Sequence, residues 1–206
     1  DLAARRARGL ARLSLTPPRA PRARLLAVRR RLARWHRAYN RTAARDPRER
    51  RPRPRLDSLS VPASLQGEAI LDLGTGAGLP GIPLSVLDPE RHFHLLDSNG
   101  KKVRFVRQAV QELGLDNVTV VQSRMESYLP GRKFATIVSR AVTAPGGLVD
   151  AAAHLLDRPG RLLAMSGRRP EGGLDGLEPR PDSVLIHPLA VPFLEGQRHL
   201  IEIRYH

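Results

Sequence analysis

The chain has no cysteine, so disulfide frameworks, thiolate metal sites and thiol nucleophiles are excluded. That absence fits a reducing compartment, and the expected location is the cytoplasm. Long apolar runs are also missing. None approaches the roughly 20 residues of a membrane span, so no membrane partner is expected. Lysine is nearly absent: 32 of the 35 basic residues are arginine, and Lys101, Lys102 and Lys133 are the exceptions. With 206 residues, 41% of them apolar, the chain can hold one full α/β domain and a small appendage. It cannot hold two independent enzymatic domains.

Acidic residues are scarce in one region only. Residues 1–55 carry 19 Arg against Asp1, Asp46 and Glu49, a net charge of +16, whereas residues 56–206 carry 16 Lys/Arg against 17 Asp/Glu, a net charge of −1. The formal +15 of the whole chain is therefore an N-terminal property. Such a block attracts RNA phosphates through counterion release without reading sequence, and it also follows from an arginine-, alanine- and proline-rich base composition. An arginine-rich, acid-poor start resembles an organellar transit peptide. Six prolines interrupt it, however, and Leu25, Val28, Leu32, Trp35 and Tyr39 recur at helical spacing inside it, which argues against import. The spacing predicts an amphipathic helix over 21–40 and an irregular, solvated connector over 45–55. The expected division is an appendage at 1–55 and a main domain at 56–206.

From Ala69 onward short apolar strands alternate with helical patterns. Strands are predicted at 69–73, 92–96, 118–121, 134–138, 161–165, 183–187 and 199–203, and helices at 80–87, 100–113 and 146–156. This alternation predicts a seven-stranded, mostly parallel sheet with helices on both faces. The last two strands have no helix-length spacer between them, so they are expected to pair antiparallel.

The chemistry-bearing motif runs from Ile70 to Gly81, ILDLGTGAGLPG. An apolar strand enters three alternating glycines, Gly74, Gly76 and Gly78, and then a helix whose first turn accepts Pro80. Asp97 ends the next strand 19 residues after Gly78, close to the roughly 20 expected of an acid that grips ribose hydroxyls. Two ligand classes share this geometry. Residues 76–81 satisfy the dinucleotide pattern G-x-G-x-x-G, so a nicotinamide enzyme is one reading. Asp72, two residues before the first glycine, favours the other, because a pyrophosphate gains nothing from a carboxylate there. A cofactor with a sulfonium and an α-amino group does. Further candidates are Met125, where the chain would pass an adenine, and Arg140, at the strand edge opposite the glycine loop. The seven histidines show no metal-ligand spacing, so no metal is expected, and His199 reads as a packed strand histidine.

With these residues in place, the chain resembles the bacterial small-subunit ribosomal RNA guanine-N7 methyltransferases, the RsmG or GidB family. The matching segments are Trp35-x-x-x-Tyr39-Asn40-x-Thr42, Leu56-Asp57-Ser58-Leu59, the run 71–84, Leu95-Leu96-Asp97-Ser98, 100–105, Gln122-Ser123-Arg124 and Ser139-Arg140-Ala141. The resemblance implies a Rossmann-like class I fold and S-adenosyl-L-methionine as cofactor. It implies methylation of N7 of one guanosine in small-subunit (16S) ribosomal RNA, naked or within an assembling or assembled subunit; separately, a monomer is expected. It places Gly74, Leu79, Met125, Glu126 and Arg140 at the cofactor, with Arg124 and Arg140 as the basic pair at the target base. Other class I substrates (a different RNA, a protein or a small molecule) and a non-catalytic RNA-binding relic are the competing expectations. The chain departs from the family at Arg41, at the Arg and Pro residues of 50–55, and at Ser166, where a lysine is usual.

Overall fold

The computed structural model describes residues 30, 64–140, 145–166, 177–189 and 199–206. The helix expected over 21–40, the connector and the appendage boundary lie outside the described residues.

Seven strands form one sheet: β1 (Ala69–Leu73), β2 (His92–Asp97), β3 (Val118–Gln122), β4 (Phe134–Arg140), β5 (Leu156–Ser166), β6 (Ser183–Pro188) and β7 (His199–Tyr205). Their spatial order is β3-β2-β1-β4-β5-β7-β6. Neighbours are parallel from β3 through β5, and β7 runs antiparallel to both β5 and β6. The chain reverses direction in the sheet between β1 and β4, where an open α/β sheet leaves a crevice at its carboxyl edge. β1 is buried at every position, as a central parallel strand with both faces covered must be.

Helices α1 (Gly81–Leu87) and α2 (Gly100–Leu113) cover one face, where Ile82, Leu84, Val86, Val106, Ala109 and Leu113 pack with Ile70, Phe93 and Leu95. Helix α3 (Pro145–Ala152) covers the other, where Leu148, Val149 and Ala152 meet Leu71, Leu73 and Ile137. α2 is well specified by its own sequence. Val103, Val106, Ala109 and Leu113 form its buried stripe at steps of three and four. The Asn99 carboxamide oxygen accepts from the N–H groups of Lys101 and Lys102 at 2.9 and 3.3 Å, and Gly114 ends the helix at φ +59°.

Between β4 and β5 the structure corrects one expectation. The helix ends at Ala152 rather than 156, and β5 begins at Leu156 rather than 161. Leu156 already pairs with Phe134, and the register then jumps to Thr136 opposite Arg161. Asp157-Arg158-Pro159-Gly160 forms the intervening bulge. A Cβ on Gly160 would stand 2.3 Å from the Asp157 carbonyl oxygen, so this tight bend requires glycine.

A second feature was not foreseen. Glu202, 1% exposed on β7, gathers Arg161 (2.7 Å), Arg204 (2.8 Å) and His187 (2.9 Å) from three strands. Burial pushes its carboxyl upward, but the hydrogen bonds from Arg204 and His187 and the charge of Arg161 outweigh that and hold it below the usual range. Arg161 also donates to the Ser64 carbonyl at 3.2 Å, so the cluster ties the first described residues of the main domain to the sheet.

Candidate cofactor site

The glycine loop is built over one carboxylate. Asp72 is fully buried at the end of β1. Its Oδ2 accepts from the Thr75 hydroxyl at 2.6 Å and from the Gly81 N–H at 2.8 Å. Helix α1 has neither a side-chain cap nor an acid in its first turn, so Asp72 supplies from the strand what the helix lacks at its positive end. The other oxygen, Oδ1, is buried without a hydrogen-bond partner. Burial pushes the Asp72 carboxyl up to about 6, against the opposing pull of the Thr75 and Gly81 hydrogen bonds and the Arg140 charge, with Asp97 adding to the rise. A buried carboxylate with one satisfied and one unsatisfied oxygen fits a cationic ligand group. A pyrophosphate would add negative charge beside it.

The glycines divide into two kinds. Gly74, at φ +72°, has open space where a Cβ would stand, and so does Gly76 apart from the Gly74 carbonyl at 4.0 Å. This leaves a main-chain cradle beside the crevice. At Gly78, φ +88°, a Cβ would meet Ile82 Cδ1 at 2.3 Å, and at Gly81 it would meet Leu95 Cδ2 at 2.1 Å. These two are closed by the protein's own core rather than by a ligand. Gly74→Ala should therefore cost about 1 kcal/mol of stability through its backbone alone. Gly78→Ala should cost about 3 kcal/mol, because overpacking adds to the strain. Thermal denaturation of the two variants checks the difference, and equal losses would contradict the division.

Asp97, at the end of β2, accepts from the Gly76 N–H at 2.9 Å through Oδ2 and from the Asn99 N–H at 2.8 Å through Oδ1. It thus fixes the crest of the loop to the entrance of α2, and each oxygen keeps a lone pair for a hydroxyl donor. Beyond β3, Arg124 and Glu126 are exposed and Met125 is half-buried against the α3-side core, in one turn of 3-10 helix, Met125–Ser127. Arg140, half-buried at the end of β4, lies close enough for its charge to act on Asp72. Ser139, beside it, donates to the Leu73 carbonyl at 2.8 Å and locks β4 to β1 just before the loop.

The fold therefore brings Asp72, Gly74, Gly76, Asp97 and Arg140 to one sheet edge, with the Met125 segment following the adjacent strand. Leu79 is placed differently from a side-chain contact. It is 1% exposed within the core, and its N–H donates to the Thr75 carbonyl at 2.9 Å, which leaves only the rest of its main chain to meet a ligand. Thr75 and Ser139 carry structural hydrogen bonds that pattern reading did not single out. Both stood inside the quoted motifs, and a hydroxyl beside a buried carboxylate or strand end was the available signal. Ser166 ends β5 opposite His199, which is 8% exposed with its Nδ1 unpartnered. Among the described residues no group of three or more His, Asp or Glu could hold a metal, and no helix is long and apolar enough to cross a membrane.

This geometry agrees with what the chain is similar to. The family model for GidB, rRNA small subunit methyltransferase G, matches residues 23–201. A protein of Methylococcus capsulatus named ribosomal RNA small subunit methyltransferase G is 47% identical over 197 residues, 96% of each chain. Its namesake in Alkalilimnicola ehrlichii is 47% identical over 193 residues, covering 94% of this chain and 88% of its own length. Among solved structures, a glycopeptide N-methyltransferase, MtfA, crystallised with S-adenosylhomocysteine, superimposes with a TM-score of 0.58 at 14% identity, over 73% of this chain and 86% of that one. A precorrin-6y C5,15-methyltransferase from Geobacter metallireducens gives 0.54 at 17% identity, over 72% and 86%. The sheet order is thus that of the class I methyltransferase fold, and by family model and by sequence identity this chain belongs to the GidB family, rRNA small subunit methyltransferase G.

Proposed function

We propose that the protein methylates N7 of a guanosine in small-subunit (16S) ribosomal RNA, with S-adenosyl-L-methionine as methyl donor. Beyond family membership, one observation carries the cofactor assignment: the buried, half-satisfied carboxylate of Asp72 beneath an open glycine cradle. S-adenosylmethionine supplies an electrophilic methyl group when bound. Asp72 would offset the positive charge of its amino-acid portion, Gly74 and Gly76 would receive it on bare main chain, and Asp97 would accept from its ribose hydroxyls. Met125 would pack on the adenine, with Glu126 beside it.

No general base is needed. Guanine N7 carries a free lone pair at neutral pH, so the new N–C bond forms as the C–S bond breaks, and no proton moves. The protein's task is alignment and exclusion of water. Arg124 and Arg140 would be the basic pair near the target base, holding the nucleotide through its phosphates and O6 and leaving N7 free to attack. The partner would be the RNA strand itself, alone or within the subunit, and the acting form a monomer.

The rate should therefore be level from about pH 6.5 to 8.5. At cofactor concentrations below saturation it should fall below about pH 6, as Asp72 of the cofactor-free protein takes up a proton and binds the cofactor cation less well. A steep dependence inside the level range would point to a titrating catalyst instead. The decisive experiment is mapping of N7-methylguanosine in ribosomal RNA from cells with and without this gene. Loss of one modified site on deletion is expected, and an unchanged map would overturn the proposal.

A further inference from the structure

The main domain carries a net charge near −1, yet its charges are not evenly spread. The solvent side of α2 holds Lys101, Lys102, Arg104 and Arg107, all exposed, and the helix has no acid in its first turn. Lys101, Arg104 and Arg107 follow one another at steps of three along its exposed surface. Among the described residues none of the four forms an ion pair, with Asp97, Glu112, Glu126 or any other acid. Asp97 is engaged by two main-chain N–H groups, Glu112 accepts from Gln108 at 2.8 Å, and Glu126 is exposed beyond β3.

Helix electrostatics does not account for the arrangement. The amino end of α2 is the positive end of its dipole, where acids are favoured and cations are not, and its last turn, where cations would be favoured, has none. Lys101 and Lys102, in the first turn, thus work against the helix that carries them, and the dipole does nothing to favour Arg104 and Arg107 further along. Two of the three lysines in an arginine-dominated chain also stand here, and a lysine offers a mobile point charge rather than a fixed fork. The placement is equally specific. Asn99, which caps α2, is tied to Asp97, which holds Gly76 of the loop, and Gly100 packs against the Gln122 side chain at the end of β3. Arg124, exposed just after β3, shares this edge. An unpaired basic surface therefore runs from the rim of the cofactor crevice along α2.

We propose that this surface of α2, Lys101, Lys102, Arg104 and Arg107, grips the sugar–phosphate backbone of the RNA strand flanking the target nucleotide. The contact is to phosphates, so it adds affinity and register without reading sequence. It rests on the methyltransferase reading above and extends it. It also assigns an RNA contact to the main domain, independent of the arginine-rich residues 1–55.

The test uses the full chain with Lys101, Arg104 and Arg107 changed together to alanine, which preserves helix propensity, and Gln108→Ala with Gln111→Ala as a neutral control on the same helix. Binding to a small-subunit RNA fragment is measured from low to moderate salt, alongside cofactor affinity by calorimetry. The triple variant should bind RNA about 10- to 100-fold more weakly at low salt, and its log–log salt slope should be shallower by about 2, as expected when about three phosphate contacts are lost. Its cofactor affinity and melting temperature should match the control. Unchanged RNA affinity and slope would overturn the proposal. So would a defect seen on assembled subunits but not on naked RNA, which would assign the surface to a protein partner. Methyl transfer by the unaltered chain is followed in parallel. If that is absent while the salt effect persists, the methyltransferase reading fails and the RNA surface stands.

Discussion

Asp72→Asn should weaken S-adenosylmethionine binding at least tenfold while leaving the cofactor-free protein as stable at pH 8 as before, or more so. Asparagine keeps an oxygen to accept from Thr75 and Gly81, so the loop and the entrance of α1 retain their brace. What it removes is a charge that the empty fold holds at a cost. The Asp72 pKa rises from 3.8 to about 6, so the folded state keeps this proton between about pH 4 and pH 6 while the unfolded chain has released it. Stability therefore falls as pH rises through that window and levels off above it, by about 3 kcal/mol for a shift of this size. Asp72→Asn should abolish that pH dependence. Calorimetric titration and melting curves from pH 4 to 8 measure both effects. A steep drop in melting temperature with cofactor affinity intact would mean that Asp72 serves only the fold.

Glu202→Gln should be the most damaging single change in the far half of the sheet, at about 3 kcal/mol, because it leaves Arg161 facing Arg204 with their shared anion gone. For a chain of this size the melting temperature should drop by about 6–12 °C. Arg161 is the partner that matters, since its side chain is 13% exposed, whereas the Arg204 and His187 side chains remain at 36% and 44%. Removing Arg204 should therefore cost much less than removing Glu202. Equal losses would show that the cluster works as an undivided network rather than around Arg161.

The contrast between these two carboxylates explains what could be read in advance. All seven strands follow from apolar runs and their punctuation. β1 and the boundaries of α2 match the expected ranges, because a central parallel strand and a helix with both caps are specified locally. Asp72 is legible because it stands two residues before the first glycine of a local motif, and its partners Thr75 and Gly81 lie within nine residues. Its first role was not visible: pattern reading assigned it wholly to the cofactor, whereas half of it caps the helix beneath the loop. Glu202 was invisible as a centre because its partners come from positions 161, 187 and 204, joined only by strand register. The one available hint was a carboxylate inside the apolar strand Leu200–Ile203, where an unpaired charge could not stay. The break at 157–160 was missed for a similar reason, since a bulge depends on the strand it faces. Leu79 shows the reverse case: its side chain belongs to the core, so a cofactor contact there would be made by its main chain.

The antiparallel seventh strand has a consequence for how the protein is made. β7 lies between β5 and β6, so of the seven strands the one that leaves the ribosome last must enter between two that are already synthesised. Until it arrives, β6 has no partner and β5 presents an unpaired margin open to strands of other chains. The crevice end of the sheet, from β3 to β4, can assemble while the chain is still growing, but the Glu202 cluster cannot. Truncation before residue 199 should therefore yield a nascent product that associates with itself, even though every residue of the glycine loop is present.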